Sequence, residues 1–178
     1  CIHCPHSNFV KSSSFSGAHL DEMVHQKFID EVSSDGFGYC EYLRYTANGE
    51  TLIHPKIDKL LEYACKNSKT KVNVTTNGML LNAKNRAMLL RLGVNVVDIS
   101  LDAFLDETYA KIRVKGDLKL VRENILALLK QREEEKSPLK LVVSFVEQPL
   151  NQSETQDFKS FWENAGVDFV VIRKLHSA

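Results

Sequence analysis

The strongest constraint on this chain is its rhythm, in which short apolar runs alternate with segments of helical periodicity from one end to the other. After the polar stretch "HSNFVKSSSFSG", residues 19 to 33 carry Met23, Phe28, Ile29 and Val32 in a helical pattern. The run "CEYLRYT" (40 to 46) predicts a strand, and a helix is expected from Pro55 to Lys66, since proline suits a first helical position. "KVNVTT" (71 to 76) predicts a strand ended by Asn77-Gly78, and "AKNRAMLLRL" a helix closed by Gly93. "NVVDISL" (95 to 101) is a strand, "DETYAKIR" a short helix, and residues 118 to 135 a long one with Val121, Ile125, Leu128 and Leu129 at helical spacing. A strand at 139 to 146, a helix at 153 to 165 and a strand at 168 to 175 complete the series. Such alternation requires crossover connections and a parallel sheet with covering helices, an α/β fold. Too few strands are present to close an eight-stranded barrel. The expectation is an open curved sheet or a partial barrel that lacks its first strand.

The 178 residues, 43% hydrophobic and 26% charged, suit one globular domain, and no linker or shift in composition divides them. Twenty-three basic residues balance 23 acidic ones, so no overall field draws nucleic acid or an anionic membrane, and neither partner is expected. The longest apolar runs are too short to span a bilayer and no leader is evident, which predicts a cytoplasmic protein. The charge run "QREEEKSP" reads as a solvated helix end.

Four cysteines are too sparse for a disulfide scaffold, so in a cytoplasmic chain a close pair points to metal or catalysis. Cys1 and Cys4, in "CIHCPHS", are such a pair; Cys65 shares a helical face with Ile57, Leu60, Leu61 and Ala64, and Cys40 opens a strand, so both read as small buried hydrophobes. In parallel α/β folds chemistry gathers at the carboxyl ends of the strands. Those ends carry "TANGET", "NGM", Ser100 with Asp102, and Ser144 followed by Gln148 and Asn151. No glycine-rich phosphate loop, G-x-G-x-x-G or G-x-S-x-G occurs, which argues against nucleotide-loop and serine-hydrolase chemistry.

With this layout the chain resembles the radical S-adenosylmethionine (SAM) enzymes, and most closely the branch whose members often carry a C-terminal SPASM or twitch extension. The signature C-x-x-x-C-x-aromatic-C is similar to the opening stretch, with Cys1 as its second cysteine, Cys4 as its third and His3 as the ring residue between them. The first cysteine would then lie four positions upstream, so the resemblance implies a core domain, residues 1 to 178, truncated at its N-terminus and at its C-terminus, a partial parallel (β/α)6-type barrel whose first strand is missing. A fragment of that kind is expected to be inactive alone.

The resemblance further implies a 4Fe-4S cluster held by three thiolates, whose open iron binds SAM, and reductive cleavage to a 5'-deoxyadenosyl radical that abstracts hydrogen from a substrate. It implies an external electron donor of the flavodoxin or ferredoxin type, and a peptide, protein side chain or small metabolite as substrate. "NGET" is similar to the family's Gly-Gly-Glu-Pro motif, where Gly49 would admit the ligand and Glu50 would accept from the SAM ammonium, although Asn48 and Thr51 depart from the pattern. By the same resemblance Thr76 and Asn77 lie beside SAM, Ser100 contacts its ribose or carboxylate with Asp102 on the same side of the strand, and Arg113 pairs with its carboxylate. Ser144 and Gln148 would face the cavity, and Arg173 and Leu175 would border the adenine. The competing reading is a zinc- or metal-stabilised α/β binding domain, which would call for a second close Cys/His pair that this sequence lacks.

Overall fold

The computed structural model describes residues 1–2, 4–34, 40–46 and 49–175. Their elements are α1 (His6–Phe9), α2 (Glu22–Ser33), β1 (Tyr42–Tyr45), α3 (Ile57–Asn67), β2 (Lys71–Thr76), α4 (Ala83–Arg91), β3 (Val96–Ser100), α5 (Asp106–Ile112), α6 (Leu118–Glu134), β4 (Lys140–Glu147), α7 (Thr155–Asn164) and β5 (Phe169–Lys174). All five strands are parallel and lie in sequence order, β1-β2-β3-β4-β5. The expected α/β alternation is present throughout. The stretch read as a loop after Cys4 contains the single turn α1, and β1 is shorter than the apolar run that predicted it.

Side-chain alternation divides the sheet into two unlike faces. Leu43, Val72, Val74, Val97, Ile99, Leu141, Val143 and Phe145 point to one face and are buried in a single core with Leu61, Leu89, Val121, Ile125, Leu128, Phe158 and Trp162 from the helices. Burial of each such side chain stabilises the fold by about 1.5–3 kcal/mol. The opposite face, concave in a partial barrel, carries Arg44, Asn73, Thr75, Asp98, Ser100, Ser144 and Arg173, as the strand register requires.

Caps set the helix limits. Asp21 accepts from the backbone N–H of Met23 and Val24, so α2 starts at Glu22 rather than at His19. Asn82 caps α4 and Asp117 caps α6 in the same way. In α2 the buried positions are His25 and Ile29, while Met23 and Phe28 are exposed, so the helix is rotated from the face its apolar residues suggested. The rotation lets His25 Nε2 and the Tyr45 hydroxyl hydrogen-bond at 2.7 Å. Pro55 lies just ahead of α3 rather than inside it. Cys40 and Cys65 are partly buried against the core, and burial raises the Cys65 thiol to about 11, which keeps it protonated.

Candidate active site

The end of β2 is tied to the loop after β1 by one carboxylate. Glu50 Oε1 accepts from the Thr76 hydroxyl at 2.6 Å and from Leu52 N at 3.2 Å, and Oε2 accepts from Asn77 N at 2.8 Å. Glu50 is also the cap of the short 3-10 turn Thr51–Ile53. Thr76 Oγ1 in turn accepts from Gly78 N, and Asn77 Oδ1 accepts from Met79 N. Gly78 holds φ +80, and a Cβ there would stand 2.7 Å from Val121 Cγ1, so the Asn-Gly turn admits only glycine comfortably. Three of the roughly four lone-pair positions of Glu50 are thus engaged, and the anion is fixed at the strand ends.

A second cluster forms past β3. Asp102 is fully buried with φ +65, a left-handed conformation that aspartate tolerates better than most residues. Its Oδ1 accepts from Val146 N at 2.8 Å, and Oδ2 pairs with Arg113 Nη2 at 2.5 Å. The left-handed residue interrupts the strand alternation past Ser100, and the Asp102 carboxylate meets the backbone at the end of β4. Asn151 donates to the carbonyls of Asp102 and Val146 and accepts from Gln148 N, locking the turn after β4. The N–H groups of Phe104 and Leu105 at the start of α5 are taken by Glu154, so neither Ser100 nor Asp102 caps that helix. Among the described residues, the buried Arg113 Nε and Gln148 Nε2 have no hydrogen-bond partner. Buried donors of this kind ordinarily meet a ligand or water.

The cysteine segment reaches this second cluster. Ile2 N donates to the carbonyl of Ile112 at 3.0 Å, which fastens the residue after Cys1 beside Arg113, and Cys4 N donates to the carbonyl of Cys1. Both thiols are free; Cys1 is exposed and Cys4 partly so. No group of three or more Cys, His, Asp or Glu side chains suited to a metal occurs among the described residues. His3 lies outside the described residues, as does Asn48. The donor set this chain offers an iron–sulfur cluster is therefore two accessible thiols one turn apart, in a segment tied by its backbone to Ile112. Soft sulfur donors of this kind suit such a cluster.

A cavity of about 570 Å³ lies on the β1 side, bounded by His6, Phe28, Arg44, Gly49, Glu50 and His54. It brings Gly49 and Glu50 to its wall and does not include Thr76, Asn77, Ser100, Asp102, Arg113 or Ser144.

On the concave face, sequence reasoning named Ser144 and Arg173 but missed Arg44, Thr75 and Asp98, and with them the network that joins all five. Arg44 Nε donates to Thr75 Oγ1 at 3.1 Å and Nη2 to Asp98 Oδ2 at 2.5 Å; Ser144 Oγ donates to Asp98 Oδ1 at 2.6 Å and accepts from Arg173 Nη1 at 3.1 Å. One polar rung thus crosses all five strands. The available signal was Asp98 itself, a charge within the apolar run "NVVDISL", since a buried carboxylate demands partners.

The parallel sheet gathers the cysteine turn and the carboxylates of Glu50 and Asp102 around one end of an α/β domain. The family model "Radical SAM superfamily" matches residues 1–134, and the chain belongs to that superfamily. It is 30% identical over 114 residues to the "Antilisterial bacteriocin subtilosin biosynthesis protein AlbA" of Bacillus subtilis, a match covering 64% of this chain and 23% of that protein. It is 32% identical over 131 residues to a "Probable GTP 3',8-cyclase" of Aeropyrum pernix, covering 73% of this chain and 34% of the relative. The chain thus spans about a quarter to a third of the length of these relatives. Among solved structures, methylornithine synthase (PylB) superimposes with a TM-score of 0.63 at 12% identity, covering 89% of this chain and 45% of that one, and shares its barrel-type fold. The fold is thus the partial parallel barrel of a radical SAM core. No helix among the described residues is long and apolar enough to cross a membrane.

Proposed function

We propose that this chain is the part of a radical SAM enzyme that binds a 4Fe-4S cluster and SAM, and that it works in the cytoplasm with a one-electron donor of the flavodoxin or ferredoxin type. The reading is supported above all by the Ile2–Ile112 hydrogen bond, which sets the Cys1–Cys4 turn next to Arg113 in a chain of this superfamily. Bound together, the cluster and SAM supply a 5'-deoxyadenosyl radical that takes a hydrogen atom from a peptide, a protein side chain or a small metabolite.

The chain's own residues would position that chemistry. Cys1 and Cys4 would hold irons of the cluster through their sulfurs, and His3, the ring residue between them in the sequence, completes the motif. Arg113, steadied from behind by Asp102, keeps Nε for the SAM carboxylate. Glu50, braced by Thr76 and Asn77, places negative charge where the SAM ammonium sits, with Gly49 leaving room for it. Ser100 and Ser144 stand opposite each other on β3 and β4 and present hydroxyls on the concave face.

The test is anaerobic reconstitution of the full-length protein with iron and sulfide, reduction, addition of SAM and quantification of 5'-deoxyadenosine. The nucleoside is expected from the wild type and absent from Cys4→Ala. Stoichiometric zinc in place of iron, or nucleoside formation that survives Cys4→Ala, would overturn the reading.

A further inference from the structure

The polar rung across the sheet is unbalanced in charge. Asp98 is its one carboxylate, and Arg44 neutralises it directly. Ser144, itself buried, uses its proton on Asp98 and its lone pair on Arg173, so the second guanidinium is anchored to the rung without meeting a negative charge. Arg173 makes no salt bridge among the described residues, and its Nε and Nη2 have no hydrogen-bond partner among them, nor has Nη1 of Arg44. Glu147, level with Lys174 in the β4–β5 register, lies one step out of phase with Val146 and Arg173 and so falls on the opposite face. It is occupied by the Thr155 hydroxyl. Within the rung the two guanidiniums of Arg44 and Arg173 thus meet a single carboxylate, and the exposed Arg173 is held by a hydrogen bond to a buried hydroxyl.

We infer that Arg173 is an oxyanion subsite, and that the substrate presents a carboxylate or phosphate group to it. A guanidinium offers two parallel N–H groups to such a group, and anchoring through Nη1 leaves one fork edge, Nε with Nη2, facing outward. Because Ser144 has already restricted the side chain, less rotamer entropy is lost when the anion docks. The inference rests on the proposed function only in calling the anion a substrate group; the subsite itself is built from residues of this chain.

The test is a titration of the full-length protein, labelled at the arginine Nε positions, with inorganic phosphate and separately with acetate, in the absence of SAM and followed by NMR. The Arg173 Nε–H resonance, identified by its loss in Arg173→Gln, is expected to shift saturably. In Arg173→Gln the affinity read from neighbouring β4 and β5 amides is expected to fall about tenfold or more. Arg173→Lys retains the charge without the fork and is expected to fall between the two. Saturation by acetate alone identifies a carboxylate and by phosphate alone a phosphate ester, and either supports the subsite. An Arg173 resonance unmoved by both anions, or equal affinities in wild type and Arg173→Gln, overturns it. Failure of the radical reading would appear separately, as no 5'-deoxyadenosine from the reconstituted wild type.

Discussion

Glu50 shows how one side chain can serve fold and chemistry together. Its carboxylate accepts from Thr76, Asn77 and Leu52, so Glu50→Ala strands two amides and a hydroxyl near the strand ends. The expected cost is about 2–3 kcal/mol, read as a lower urea midpoint at unchanged slope, with Glu50→Gln recovering part of it. His25 makes a prediction about pH. Burial lowers its pKa below the ordinary 6.5, with the nearby His54 adding to the effect and Glu22 opposing it. The unfolded chain then binds the proton more readily, so the stability tied to neutral His25 is complete above about pH 6.5 and is lost as pH falls through the lowered folded value. Thermal scans between pH 7.5 and 5 are expected to show a smaller decline in His25→Phe than in the wild type. Parallel curves would show that His25 has no part in it.

The turn after β2 is where local backbone and tertiary packing meet. Gly78→Ala must place a methyl 2.7 Å from Val121 on α6 while holding φ +80, and it is expected to destabilise by about 2 kcal/mol or more. Val121→Ala in the same chain should restore only part, because it relieves the clash and leaves the backbone strain; denaturant unfolding of the double mutant measures the coupling. Elements of this kind were legible in the sequence, since β2 and α6 follow directly from their apolar patterns and from the Asn-Gly that ends β2. Most of the site residues named from the sequence were chosen because they follow strands. Asp98, Arg44 and Thr75 meet across separate strands, and nothing local in the sequence sets their spacing. The left-handed turn at Asp102 was equally hidden, because aspartate is merely permitted there, and so was the rotation of α2, which depends on the Tyr45 hydroxyl finding His25.

Across the whole molecule the sheet is protected unevenly. β3 is flanked by β2 and β4 and buried on the helix-covered face, whereas β1 is four residues long and paired on one side only among the described residues. Amide exchange is therefore expected to be slowest in β3 and fastest in β1, measured by mass spectrometry on the native protein. The rung from Arg44 to Arg173 joins residues 31, 54, 46 and 29 positions apart in the chain. Each of those separations must be closed before the contact exists, so the rung belongs to the slow, long-range part of folding. A growing chain cannot display this surface until β5 has docked, and a maturation factor or substrate that requires it would meet only chains in which all five strands are in place.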